Sequence, residues 1–154
     1  MDFVLDGYCG THCGACPIML NTKAGKGTER CHGCKSEQPT GYCATCRIKA
    51  CAQSKGYEFC YQCSDSSACE LFQKFITKAK WPVLKNMEMI RSEGKAKWLE
   101  AQDKRWRCAN CGLSYSWYHE TCPQCAQAVA SYKANRLWCI NRFFESAIPL
   151  LGYF

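Results

Sequence analysis

The chain has 154 residues, a formal charge of +7 and sixteen cysteines, yet Leu, Ile, Val and Phe together supply only 25 positions. That length allows one ordinary domain or two small stapled ones, and so little aliphatic bulk excludes a large conventional core. No apolar run approaches a membrane span, and the opening Met-Asp-Phe-Val-Leu-Asp-Gly fits no secretory signal. A cytoplasmic protein with reduced thiols is expected, in which close cysteine pairs mean metal or redox chemistry rather than disulfides. The formal charge overstates basicity, because a four-thiolate zinc site adds about −2 locally and three such sites would leave about +1.

Residues 1–69 read as a cysteine-rich metal-binding module. Eleven cysteines fall there as short clips: Cys9, Cys13 and Cys16, then Cys31 and Cys34, then Cys43, Cys46 and Cys51, then Cys60, Cys63 and Cys69. The same stretch holds only seven large aliphatic or Phe residues, too few to offset the entropy of ordering it. A metal bound by the sulfurs must close the loops. Glycines at 10, 14, 33 and 41 stand beside the clips, where the backbone turns tightly and offers amides to sulfur. Irregular loops are expected, with one short helical turn over 48–54. Spacing does not group the eleven into sites; two four-sulfur sites leave three cysteines, and a third would need His12, His32 or solvent.

Residues 70–107 read as a helical segment. Ser67 and Glu70 have capping-box spacing, and Leu71, Phe72, Phe75, Ile76 and Ala79 follow with helical periodicity. This places Cys69 in the first turn, where the dipole favours a thiolate. Trp81-Pro82 ends that helix, and Pro82 suits the first position of the next. Val83, Met87 and Ile90 form the inner face of this second helix until Gly94 breaks it. A third helix over 95–106 carries Trp98, Leu99 and Trp106. Half of the twenty basic residues lie in this segment, but Glu70–Lys74, Glu100–Lys104 and, across a continuous turn, Glu93–Lys97 are spaced to pair. Most of this charge reads as a solvated face rather than a nucleic-acid surface.

Residues 108–127 carry the sharpest motif. Cys108-Ala-Asn-Cys111-Gly and Cys122-Pro-Gln-Cys125 are two knuckles separated by ten residues of alternating Ser and aromatic character. Tetrahedral zinc suits four thiolates held this way, and Leu113-Ser-Tyr-Ser-Trp-Tyr predicts two short strands, together a zinc ribbon. His119 falls in the turn as a surface residue. Over 128–154, Leu137, Ile140, Phe144, Ala147 and Leu151 predict a helix that packs on the domain, on an unknown protein partner, or on a second copy; Cys139 there has no partner clip.

Several chemistries are excluded. Cys9-x3-Cys13-x2-Cys16 has the spacing of a radical S-adenosylmethionine motif without the strands of its barrel. No Cys-x2-Cys is followed by His, so covalent haem is out, and Gly25-Lys-Gly-Thr28 lacks the upstream glycine of a phosphate loop. No Ser/His/Asp set or paired carboxylates support an enzyme, which leaves a three-ligand zinc with a bound water among the eleven cysteines as the catalytic alternative. Zinc is favoured over iron–sulfur for the array, although Cys16-Pro17 keeps a cluster open.

Tyr8-Cys9-Gly10, Cys13, Cys16-Pro17, Cys31-x-Gly33-Cys34, Cys43-x2-Cys46, Ile48, Cys51-Ala52, Lys55-Gly56, Cys60-x2-Cys63 and Cys69-Glu70-Leu71 resemble domain of unknown function 3795. The resemblance covers the first half of the chain. Lys97-Trp-Leu-Glu-Ala-Gln102, Arg105-Trp106 and the ribbon are similar to an extension carried by some members. The resemblance implies metal binding in a prokaryotic cytoplasm and no particular reaction. The link from Pro17 to Arg30 is shorter than the helical insert many members carry. Together these readings predict a small metal-stabilised α+β fold: an irregular cysteine-rich module, a helical middle, a zinc ribbon and a C-terminal helix. Its expected role is multi-site metal binding as a structural binding or adaptor module. An iron–sulfur electron carrier or redox sensor is the first alternative and a zinc-ribbon nucleic-acid binder the second.

Overall fold

The computed structural model describes residues 2–79 and 83–131. The C-terminal helix expected over 128–154, Cys139 and the Trp81-Pro82 junction lie wholly or largely outside those residues. Among the described residues five α-helices follow in order: α1 (Pro17–Lys23), α2 (Arg47–Ser54), α3 (Glu70–Ala79), α4 (Val83–Glu93) and α5 (Lys95–Arg105). Short 3-10 turns sit at Cys13–Ala15, Gly41–Cys43 and Cys60–Gln62. Extended pairing among the described residues is limited to isolated antiparallel bridges, Asp6–His12, Arg107–Ser114 and Thr121–Ala128. The molecule is small and mostly helical, and the strand component expected of the ribbon shrinks to two of these bridges.

The reason lies in where the spacer's amides go. Cys108 N–H donates to Leu113 O, Tyr115 N–H to Trp106 O and Trp117 N–H to Ala15 O. Each arm folds back on its own knuckle or onto the N-terminal loop, so the spacer cannot form a ladder with itself.

Three apolar clusters hold the described residues together. The largest joins Cys46 and Ile48 of the array, Phe59, Phe72 on α3, Val83, Met87 and Ile90 on α4, and Trp98 on α5. Trp98 is fully buried, set edge-on to Phe59 and to His12. A second cluster packs Ala15 against Trp106, Cys108, Tyr115 and Cys122, which seats the ribbon on the loop after Cys13. The third holds Cys13, Met19 on α1 and Cys34. The array therefore borrows most of its core from the helices downstream.

Local expectations fared unevenly. The turn at 48–54 is α2, and Gly94, at φ 89°, breaks α4 from α5. The Glu70–Lys74 and Glu100–Lys104 pairs form at 3.0 and 2.7 Å. The break turns Lys97 out of line with Glu93, and no ion pair joins them among the described residues. Ser67 does not cap α3. Successive turns, Ser66 N–H to Cys63 O and Ala68 N–H to Asp65 O, carry the chain past it. The helix starts at Glu70 with Cys69 just before its first turn, and Gln73 Nε2 reaches back to Ser67 O at 2.9 Å. Helix α1, inside the short link, was not foreseen; Pro17 at its first position was the available signal.

Candidate metal centres

The four-cysteine group at 108–125, where a ribbon is expected, is built from two copies of one backbone device. In the first knuckle Gly112 N–H returns to Cys108 O, and in the second Ala126 N–H returns to Cys122 O, each at 2.9 Å. Cys108 N–H meets Leu113 O in one and Cys122 N–H meets Gln127 O in the other. The residue after each second cysteine has positive φ, 75° at Gly112 and 58° at Ala126, the latter the one non-glycine described there. These turns aim four sulfurs at one point. Cys108 and Cys125 Sγ stand 3.6 Å apart, Cys111 and Cys122 Sγ 3.5 Å, and all four lie within 4.8 Å of one another. A tetrahedral zinc with bonds of about 2.3 Å would set its sulfurs about 3.8 Å apart, so the residues fit the ion with little movement. The Asn110 side chain and the Gln127 amide hold the Cys125 thiol down to about 6, already favouring the thiolate a metal needs. His119 is exposed in the turn, as expected.

The eleven array cysteines are free thiols, and their neighbourhoods sort them. Cys9, Cys13, Cys34, Cys43 and Cys46 form one neighbourhood, joined by mutual electrostatic influence. Within it the hydrogen bond from Cys43 holds the Cys34 thiol down to about 6, against burial, with Lys49 and Lys35 adding to it. Burial pushes Cys9 up to about 11 and Cys13 further still. Cys51, Cys60, Cys63 and Cys69 line a second space, a cavity of about 200 Å³. Burial raises Cys60 to about 12, with Cys9, Cys51 and Cys69 contributing. Cys16 neighbours both Cys31 and Cys13, so this pair adjoins the first neighbourhood. No array sulfurs gather as tightly as those of the ribbon, since the ribbon is the group of three or more ligand atoms within 4.8 Å among the described residues.

Neither histidine joins a ligand group. His12 is buried edge-on against Trp98, and desolvation lowers its pKa to about 4, which keeps it neutral. His32 stacks on Phe3 with centroids 4.8 Å apart. One charged group was missed: Lys35 is largely buried, pairs with Asp6 and lies over the Phe59 ring at 3.9 Å. Its position directly after Cys34 gave no sign of this, because burial of the pair depends on residues 6 and 59.

The fold and these sites define a small cysteine-rich, mostly helical protein with a four-cysteine group able to hold a metal. Residues 5–74 match the model of a family described as Protein of unknown function (DUF3795); that span contains all eleven array cysteines, and the ribbon lies beyond it. No curated protein and no solved structure matches the chain.

Proposed function

We propose that this is a multi-site metal-binding protein acting as a structural binding or adaptor module, with zinc at the ribbon and thiolate-bound metal in the array. The observation that carries it is the ribbon geometry, four sulfurs within 4.8 Å on two matching turns. Structural zinc supplies roughly 10–16 kcal/mol to a small domain, which supplements the small core that the chain's 25 Leu, Ile, Val and Phe residues can build. The cysteines of the array need the same support, since that stretch holds few large apolar residues of its own. A protein partner or a second copy is the binding class favoured here. Tyr42, Leu84 and Tyr118 are the large apolar side chains left in solvent among the described residues, and residues 128–154 supply a further apolar segment by sequence. Metal analysis of the full chain purified without oxygen tests the reading. About one zinc held by the ribbon, with further metal in the array, is expected. A metal-free sample with intact near-ultraviolet circular dichroism would overturn it.

A further inference from the structure

We propose that the cavity between α2 and the start of α3 is the binding site of an iron–sulfur cluster held by Cys51, Cys60, Cys63 and Cys69. This deepens the metal-binding reading and rests on it. The four thiols come from separate places: Cys51 from α2, Cys60 from the start of a 3-10 turn, Cys63 from its end and Cys69 from the residue before α3. They surround a space rather than converge on a point. The cavity measures about 200 Å³, while an apolar cavity of about 150 Å³ is already large enough for benzene. That is room for a polyatomic group and far too much for one ion.

The ribbon supplies the contrast within the same chain. There the paired sulfurs stand 3.5 and 3.6 Å apart, the spacing of ligands that share one ion. No second set of three ligand atoms within 4.8 Å occurs among the described residues, so a lone ion in the cavity would be short of ligands until the walls collapsed. A cluster of four irons and four sulfides binds each thiolate to a different iron. It therefore requires four cysteines around one volume, and four from separate places line this cavity.

The rest of the wall suits the same group. Ile48, Ala52 and Phe72 are buried beside the sulfurs and keep water from one side. Lys55 Nζ lies 3.5 Å from Cys63 Sγ, a cation placed against a ligand sulfur, where charge and hydrogen bonding tune a cluster.

The full chain, purified without oxygen and reconstituted with equal parts of ferrous and ferric iron and with sulfide, is expected to take up about four irons and four acid-labile sulfides beside the ribbon zinc, with brown visible absorption. Cys60→Ala and Cys63→Ala should each lose iron and sulfide together while the ribbon keeps its zinc. Lys55→Ala keeps every ligand and should hold the cluster at a more negative reduction potential, a readout that survives should a cysteine variant misfold. Zinc in the cavity without sulfide overturns the cluster and leaves the metal-binding reading standing. Undiminished iron and sulfide in both cysteine variants overturns the site assignment. A cavity that takes neither iron nor zinc overturns both readings.

Discussion

Gly33, between Cys31 and Cys34, shows how tightly single residues set the array. Its φ is 121°, and a Cβ there would stand 2.0 Å from the Val4 carbonyl oxygen. Val4 cannot yield easily, because its N–H is tied to His32 O at 2.7 Å. Gly33→Ala therefore meets backbone on both counts, and a loss of about 3 kcal/mol is expected. Ala126 is the opposite case. It holds φ 58° in open solvent, where a non-glycine residue costs about 1 kcal/mol. Ala126→Gly should therefore raise stability by a few tenths of a kcal/mol once glycine's greater chain entropy is deducted. Denaturant unfolding of the metal-loaded variants checks the pair, and midpoints that move in the same direction would refute the backbone account.

At the scale of elements, the ribbon closes its own site. All four ligands lie on the two knuckles, and the hydrogen bonds that shape each knuckle run within it. Cys111→Ser should release about one zinc and loosen residues 108–125 while the array keeps its metal. A larger fall in metal content, read by elemental analysis, would mean that ribbon and array share a site. The motif was legible because its spacing is local, as were α2, α4 and α5, where periodicity and Gly94 marked the elements. The grouping of the eleven array cysteines was not. Cys9 and Cys34 are neighbours because the loop at Gly7 lies against Cys34, and Val4 N–H ties that N-terminal stretch to His32 O at 2.7 Å. No spacing rule encodes such a meeting. Ser67 failed as a cap for a similar reason, since the turns that pull the chain past it are set by the Cys63 loop. The missing strands follow from Ala15, a long-range acceptor that takes the Trp117 amide.

For the molecule as a whole, a buried polar relay ties the parts together. Asn86 Nδ2 donates to Gly10 O at 2.8 Å, Gln102 Nε2 donates to Asn86 Oδ1 at 3.3 Å, and Trp106 Nε1 donates to Gln102 Oε1 at 2.9 Å. It runs from the first cysteine clip through α4 and α5 to Trp106, so the helical middle acts as a scaffold between that clip and the four-cysteine group. Its surface charge fits that role better than nucleic-acid binding. Lys74, Lys104 and Arg107 pair with acidic residues one turn away, and Lys95 pairs with Glu58. Exposed pairs of this kind add little stability, but they leave fewer cations for phosphate. Metal thiolates would remove more of the formal +7. Trp117 is partly buried against the ribbon core and tied through its backbone to Ala15, which leaves Tyr118 as the exposed ring of the spacer and a single stacking platform. Binding to single-stranded and double-stranded DNA and RNA is therefore expected to be weak, unspecific and only shallowly dependent on salt. A salt titration measures this directly. Submicromolar affinity at physiological salt, with a slope equivalent to about four or more phosphate contacts, would replace the adaptor reading with a nucleic-acid one.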